Sequence, residues 1–286
     1  MNRVDVRKTY KLFIGGAFPR SESGYTYVVT DADGGFLANA AKASRKDARD
    51  AVEAATKAQP GWANRTPYNR GQILYRIAEM LEGRRAQFVA DVLAAEGGTA
   101  DDAAGQVDAA IDRWVWYAGW ADKLAQVLGG ANAVSGPYFD FSVPEPSGVI
   151  AVVAPPGSSL LGLVSVLAPA IVSGNTAVVV ASSPRPIPAM TLAEVLATSD
   201  LPPGVVNLLS GEQGDMVPSL AAHTGVNGID LTGVENPDLA TTWERDAAVN
   251  LKRVRRPASV DWALDPGLTR MTSFIETKTV WHPMGF

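Results

Sequence analysis

Several kinds of side chain could carry chemistry here, and each is limited by its surroundings. The first is the thiol, and it is missing. None of the 286 residues is cysteine, which excludes a thiolate nucleophile, a disulfide and a thiolate metal site. The second is the serine pair in Gly157-Ser158-Ser159, between an apolar strand and an apolar helix. A nucleophile elbow needs Gly-x-Ser-x-Gly, and Leu161 stands where the second glycine belongs. The plainer expectation is that Ser158 caps the helix that follows. The third is imidazole. Only His223 and His282 are available as bases, and neither has a carboxylate or second histidine at ligand spacing, so no metal site is expected. The fourth is the basic run Lys252-Arg-Val-Arg-Arg256, which reads as a solvated rim rather than a phosphate or partner site. Finally, Gly157, Gly211, Gly214 and Gly233 follow strands, where backbone N–H groups at a helix start can receive a phosphate. No Gly-x-Gly-x-x-Gly follows the first strand of that region.

These groups need a scaffold, and the hydrophobic pattern supplies one. Lys11-Leu-Phe-Ile-Gly-Gly reads as a short strand with a glycine turn, and residues 25–30 as a second strand. From Ser44, a candidate N-cap, Ala48, Ala51, Val52 and Ala55 recur at helical spacing. Pro67 opens the next helix, whose face is Ile73, Leu74, Ile77, Met80 and Leu81. A third helix is predicted over residues 84–95 and a fourth over 101–128. The fourth carries Trp114, Trp116, Tyr117 and Trp120, an aromatic stripe that reads as core packing. Residues 139–143 alternate as a strand. Thereafter strands at 149–153, 176–180, 205–209 and 228–232 alternate with helices at 158–172, 189–197 and 215–222. Continuous apolar strands separated by helices predict a parallel sheet covered on both faces, an α/β fold.

Composition agrees with a well-packed α/β protein: 47% of residues are hydrophobic and 19% charged. A net charge of -5 argues against nucleic acid as a partner. The first residues carry no secretory h-region, and the longest apolar stretch, residues 160–172, is too short to span a bilayer. A cytoplasmic protein without membrane contact is expected.

The order of these segments resembles the aldehyde dehydrogenase superfamily. The resemblance rests on residues 11–18, the helices of 44–81, and above all residues 148–175. It continues through Leu201-Pro-Pro-Gly-Val-Val-Asn-Leu-Leu-Ser-Gly and Leu231-Thr-Gly. The ending Lys278-Thr-Val-Trp-His-Pro-Met-Gly looks like that family's C-terminal strand. The likeness covers residues 10–254 and 272–286. It implies a Rossmann-like sheet with flanking helices, an N-terminal helical layer and a β arm for oligomerisation. The implied division is 1–128 with 148–256 as the cofactor-type domain, and 129–147 with 272–286 as the arm.

At the functional positions the sequence departs from the family. The resemblance places an oxyanion-donating Asn where this chain has Gly157, after Pro155-Pro156. One lost oxyanion donor removes roughly 3 kcal/mol of transition-state stabilisation. The Lys and Glu that hold the adenosine ribose are replaced by Val180 and Ser183, although Gly174-Asn175-Thr176 is kept. Val234 follows Thr232-Gly233 where a Ser near the pyrophosphate is usual. The segment with the general-base Glu has become Arg255-Arg256-Pro257-Ala258, with Pro257 near the Glu position. About twenty residues separate Val254 from Phe274, where the family carries its Cys-bearing catalytic domain. A domain needs on the order of 50 residues or more.

The resemblance therefore implies an aldehyde dehydrogenase-like pseudoenzyme, a structural or regulatory subunit without catalytic residues. Its partner would be a full-length aldehyde dehydrogenase paralogue or a second copy of itself. Phe139, Phe141, Val143, Thr277, Thr279 and Trp281 are the expected interface residues. No cofactor is expected, and NAD(P), if taken at all, would bind weakly over the remnants Gly157, Gly211 and Gly233. Two alternatives stand beside this reading: a residual NAD(P)-binding module, and an oxidoreductase subunit whose catalytic residues come from a partner chain.

Overall fold

The computed structural model of the chain describes residues 8–285. Strands β1 (Thr9–Tyr10), β2 (Thr26–Thr30) and β3 (Phe36–Ala41) form a small sheet in the order β1-β3-β2. The helices α1 (Arg45–Ala63), α2 (Pro67–Glu82), α3 (Arg85–Glu96), α4 (Ala100–Trp120) and α5 (Leu124–Leu128) come next. After β4 (Gly130–Asn132) and β5 (Tyr138–Pro146) the chain alternates: β6 (Val149–Val153), α6 (Leu161–Val172), β7 (Thr176–Val180), α7 (Ile187–Leu196) and β8 (Val206–Leu209). It continues through α8 (Gln213–Ala222), β9 (Gly228–Asp230), α9 (Pro237–Ala248), β10 (Arg253–Arg255), α10 (Thr269–Thr272) and β11 (Ile275–Pro283).

The central sheet has five parallel strands in the order β10-β9-β6-β7-β8. Every residue of β6, β7, β8 and β9 is buried, because helices cover both faces. Alternation divides their side chains between two cores. Ile150, Val152 and Val179 pack with Leu74, Trp114 and Leu167 on the α2–α4–α6 side. Val149, Val153 and Val180 pack with Ala48, Val217 and Trp243 on the α1–α8–α9 side.

Local signals account for most boundaries. Ser44 caps α1 in a reciprocal box: its Oγ accepts from the Asp47 N–H, and the Asp47 carboxylate accepts from the Ser44 N–H at 2.8 Å. Trp114 and Tyr117 are fully buried and Trp116 and Trp120 half-buried, so the aromatic stripe is core packing.

The structure corrects several boundaries. The helix expected over 101–128 breaks after Trp120, where the Ala121 N–H turns back to the Ala118 carbonyl and the Lys123 ammonium caps Gly119 O at 2.6 Å. Ser158 is not the N-cap of α6. That position is Leu160, while Ser158 Oγ accepts from the Gly162 N–H at 2.9 Å. Strand β3 was hidden by its Ala-rich sequence, a poor β signal that pairing on both sides overrides. The basic run is a solvated rim only in part: Arg253 and Arg256 are exposed. Its middle is β10, paired to β9, and Lys252 is buried. Helix α9 begins with an Asn236 cap and Pro237, a legible start signal that the hydrophobic pattern alone passes over.

The third sheet, β11-β5-β4, is antiparallel and stands apart from the central one. Its root is Asn175, wholly buried: Nδ2 donates to the Ala170 and Phe274 carbonyls, and Oδ1 accepts from the Gly148 N–H at 2.8 Å. Phe274, just before β11, is itself in the main core.

Candidate functional site

In an open parallel sheet the crevice lies beyond the carboxyl ends of the strands, where the strand order reverses. Here the reversal falls between β6 and β9. A crevice of about 350 Å³ opens on that side, lined by Pro156, Ser183, Glu212, Gly214, Gly233, Val234 and Trp243 among others.

The glycines there have different roles. Gly233 is buried, and a Cβ on it would stand 2.1 Å from the Ala154 carbonyl oxygen, so only glycine lets this loop lie against the end of β6. Gly211 has φ +129 and lies against the Ala43 backbone. Gly157 is exposed, with open space where a side chain would be.

The polar groups around the crevice bond to one another. Ser183 Oγ donates to Glu212 Oε1 at 2.9 Å, Arg185 donates to the Gly157 carbonyl at 3.1 Å, and Gln213 Nε2 to the Gly233 carbonyl at 3.2 Å. Tyr27 donates from across the small sheet to the Ser183 carbonyl at 3.1 Å. Burial, and then the Glu212 carboxylate, push its phenol well above the usual range. Both helix starts facing the crevice carry acid: Glu212 precedes α8, and Asn236 caps α9 with Asp238 in its first turn. An acidic side chain at a helix start is stabilised by the helix dipole. Val180 is fully buried among Val153, Leu209 and Val217, so its side chain offers nothing to the crevice; Ser183 does line it.

The hydrolase constellation does not assemble. Ser159 gives both its N–H and its hydroxyl to Glu96 Oε1 at 2.6 Å, and Ser158 is engaged with Gly162. His223 lies at the C-terminal end of α8, where its Nδ1 accepts from the Gly225 N–H, and burial lowers its pKa. His282 is on β11. Among the described residues no group of three or more His, Asp or Glu side chains is placed to hold a metal ion.

Matching to protein families assigns residues 18–255 to the aldehyde dehydrogenase family. The chain belongs to that family. Human retinal dehydrogenase 2 is 32% identical over 232 residues, covering 79% of this chain and 44% of that protein. An aldehyde dehydrogenase of Davidiella tassiana is 30% identical over 246 residues, covering 85% of this chain and 49% of its own. The chain thus spans about half the length of these relatives. The crystal structure of HpcC from Thermus thermophilus superimposes with a TM-score of 0.82 at 29% identity, over 86% of this chain and 47% of that one. An aldehyde dehydrogenase from Bacillus cereus, solved with NAD+, gives 0.81 at 24% identity over 86% and 50%, which speaks for the fold alone. Membership of the family agrees with the α/β Rossmann-like expectation.

Two parts of the site were not foreseen. Asp230, at the carboxyl end of β9, is 2% exposed and pairs with Arg270 at 3.3 Å, while Thr232 donates to its other oxygen at 2.5 Å. Burial raises the Asp230 pKa and the Arg270 charge opposes this. A lone Asp inside an apolar strand was the legible signal, since a buried carboxylate demands a partner. That partner comes from the segment of residues 256–274, which follows β10. The segment crosses the ends of β9 and β10. Pro257 is half-buried on it, and Arg113 of α4 ties it down through the Trp262 and Leu264 carbonyls at 2.7 and 3.1 Å.

The second part is the register of the outer sheet. β5 and β11 pair along their whole length, from Ile275 with Pro146 to Pro283 with Tyr138. Directly paired side chains share a face. Phe139, Phe141 and Val143 therefore lie on one face with His282, Val280 and Lys278. Thr277, Thr279 and Trp281 lie on the other with Pro144, Ser142 and Asp140. The six candidate interface residues do not form a single patch.

Proposed function

We propose that the chain acts as a non-catalytic aldehyde dehydrogenase-like subunit that docks through its outer sheet onto a full-length aldehyde dehydrogenase. In this reading residues 1–128 and 148–256 are the cofactor-type framework, and 129–147 with 272–286 the assembly arm. The observation that carries it is the arm itself. β11 is paired on one side with β5, its other edge has no strand partner among the described residues, and Tyr138, Phe139 and Trp281 beside it are about half exposed. An open edge flanked by apolar side chains is a template for a further strand. The self-bonded crevice and the absence of cysteine support a role without turnover. The acids at its rim support weak NAD(P) affinity.

The test is co-expression with a full-length relative from the same genome, followed by light scattering on the purified complex. Removal of residues 277–286 should abolish the complex and leave the chain folded. The cut must start after Ile275, because Phe274 and Ile275 belong to the core. An unchanged complex with the truncated chain would refute the placement. Two bench results bear on the alternatives. The chain alone should show no aldehyde oxidation above a control, and calorimetry should show no dinucleotide binding below about 100 μM, near -5.5 kcal/mol. Low-micromolar NAD(P) binding would favour the residual cofactor module instead.

A further inference from the structure

The crevice opens between the starts of α8 and α9; a second, larger cleft of about 890 Å³ runs between α8 and α1. Of the residues lining it, only Gly214 also lines the crevice. Each helix contributes a row at four-residue spacing, which keeps the side chains on one face. Arg45 and Arg49 come from α1, and Asp215 and Ser219 from α8, whose row ends in His223. The His223 Nδ1 accepts from the Gly225 N–H at 3.0 Å, so the ring proton is on Nε2, a hydrogen-bond donor.

The cleft gathers positive charge in a chain whose net charge is -5. Lys42, Arg45, Lys46 and Arg49 line it against Glu22 and Asp215, two more cations than anions. Most of these groups are answered. Asp215 is held by Lys42 at 3.2 Å, Lys46 is paired with Asp50 at 2.9 Å, and Glu22 accepts from the Ser44 hydroxyl at 2.9 Å. The two guanidiniums remain. Arg45 has no ion pair among the described residues, and Arg49 meets Asp50 and Glu53 only at 4.0 and 3.9 Å. Charge of one sign collected in a cleft focuses the field on whatever enters it.

We infer that this cleft binds a small organic phosphate monoester, with its dianionic phosphate between Arg45 and Arg49. Side chains one helical turn apart have Cβ atoms about 5–6 Å from each other, and each guanidinium presents a planar fork of donors. A tetrahedral phosphate has oxygens for both forks at once, whereas a carboxylate is satisfied by one. Its two negative charges match the excess of cations in the lining. The cleft is far larger than the bare ion and has the size of a small-molecule pocket, so the phosphate should carry an organic body. Tyr25, 71% exposed and lining the same cleft, offers that body a ring face. No residue of the arm lines the cleft, so the inference stands apart from the assembly role.

Calorimetry on the full chain with phenyl phosphate, inorganic phosphate and sodium acetate, at ionic strength fixed with chloride, tests this. Phenyl phosphate should bind saturably at one site and more tightly than inorganic phosphate, with acetate weakest. Arg45→Gln and Arg49→Gln should each weaken phenyl phosphate about tenfold, the effect of one lost charge-assisted hydrogen bond. Tyr25→Ala should bring phenyl phosphate down to the affinity of inorganic phosphate. All three side chains are exposed, so the Tm of each free variant should match wild type. No saturable binding overturns the proposal, as does unchanged affinity in both arginine variants. Binding lost in Arg185→Gln but kept in Arg45→Gln would move the phosphate to the crevice and overturns it equally. Equal affinity for phenyl and inorganic phosphate removes the organic ligand. Acetate binding as tightly as phosphate would make the cleft a general anion site, which refutes the proposal too.

Discussion

Replacing Asn175 should separate the two halves of this architecture energetically. Its amide makes four contacts: Nδ2 to the carbonyls of Ala170 and Phe274 and to Ser173 Oγ, and Oδ1 from the Gly148 N–H. Two N–H groups serve three acceptors, so these amount to three full hydrogen bonds. At about 1 kcal/mol net for each, Asn175→Ala loses about 3 kcal/mol, and the orphaned Gly148 N–H adds about 1 more. A loss near 4 kcal/mol is a large share of the roughly 5–15 kcal/mol that keeps a domain folded. Urea unfolding followed by tryptophan fluorescence measures it. Hydrogen exchange should show protection lost first in β11, because the Phe274 carbonyl anchors that strand. Asn175→Asp keeps the acceptor, loses the donors and buries a charge, so at neutral pH it should be worse than alanine. Burial raises that carboxyl's pKa, so the deficit of the Asp variant should shrink as pH falls and grow as pH rises through the folded-state value. A loss below about 1 kcal/mol for Asn175→Ala would refute the anchoring role.

Other perturbations follow from the same geometry. Tyr117, with its pKa raised to about 12 by burial, holds its proton more tightly folded than unfolded. Its contribution is full below the unfolded value of about 10 and is lost as pH climbs towards the folded one, by up to about 1.4 kcal/mol per pH unit. Wild type minus Tyr117→Phe, in alkaline urea titrations, should show that slope, and parallel curves would disprove it. Arg270→Met strands the buried Asp230 carboxylate and should lower stability by about 3–5 kcal/mol, with Asp230→Asn in the same chain recovering part of the loss. Gly233→Ala drives a Cβ into the Ala154 carbonyl and should destabilise by roughly 3 kcal/mol, as measured by thermal melting.

Much of the fold is legible in the sequence for a simple physical reason. A parallel strand buried on both faces must be apolar throughout, and residues 149–153 and 176–180 announce it. Capping is equally local, as Ser44 with Asp47 shows. The absence of cysteine from these 286 residues needs no structure at all, since it is a matter of composition. Only the tertiary structure decides the rest. It turns the Val180 side chain into the core, whereas Ser183 is drawn to Glu212. Pairing, not propensity, makes a strand of the alanine-rich β3 and of the basic residues in β10. The register of β5 against β11 sends Phe139 and Trp281 to opposite faces, a fact set by one-residue precision across more than a hundred residues of chain. Arg113, Asp230, Arg255 and Arg270 lie far apart along the sequence and meet only because residues 256–274 fold back over the sheet. Buried charges must find partners in space, and sequence order does not say where those partners stand.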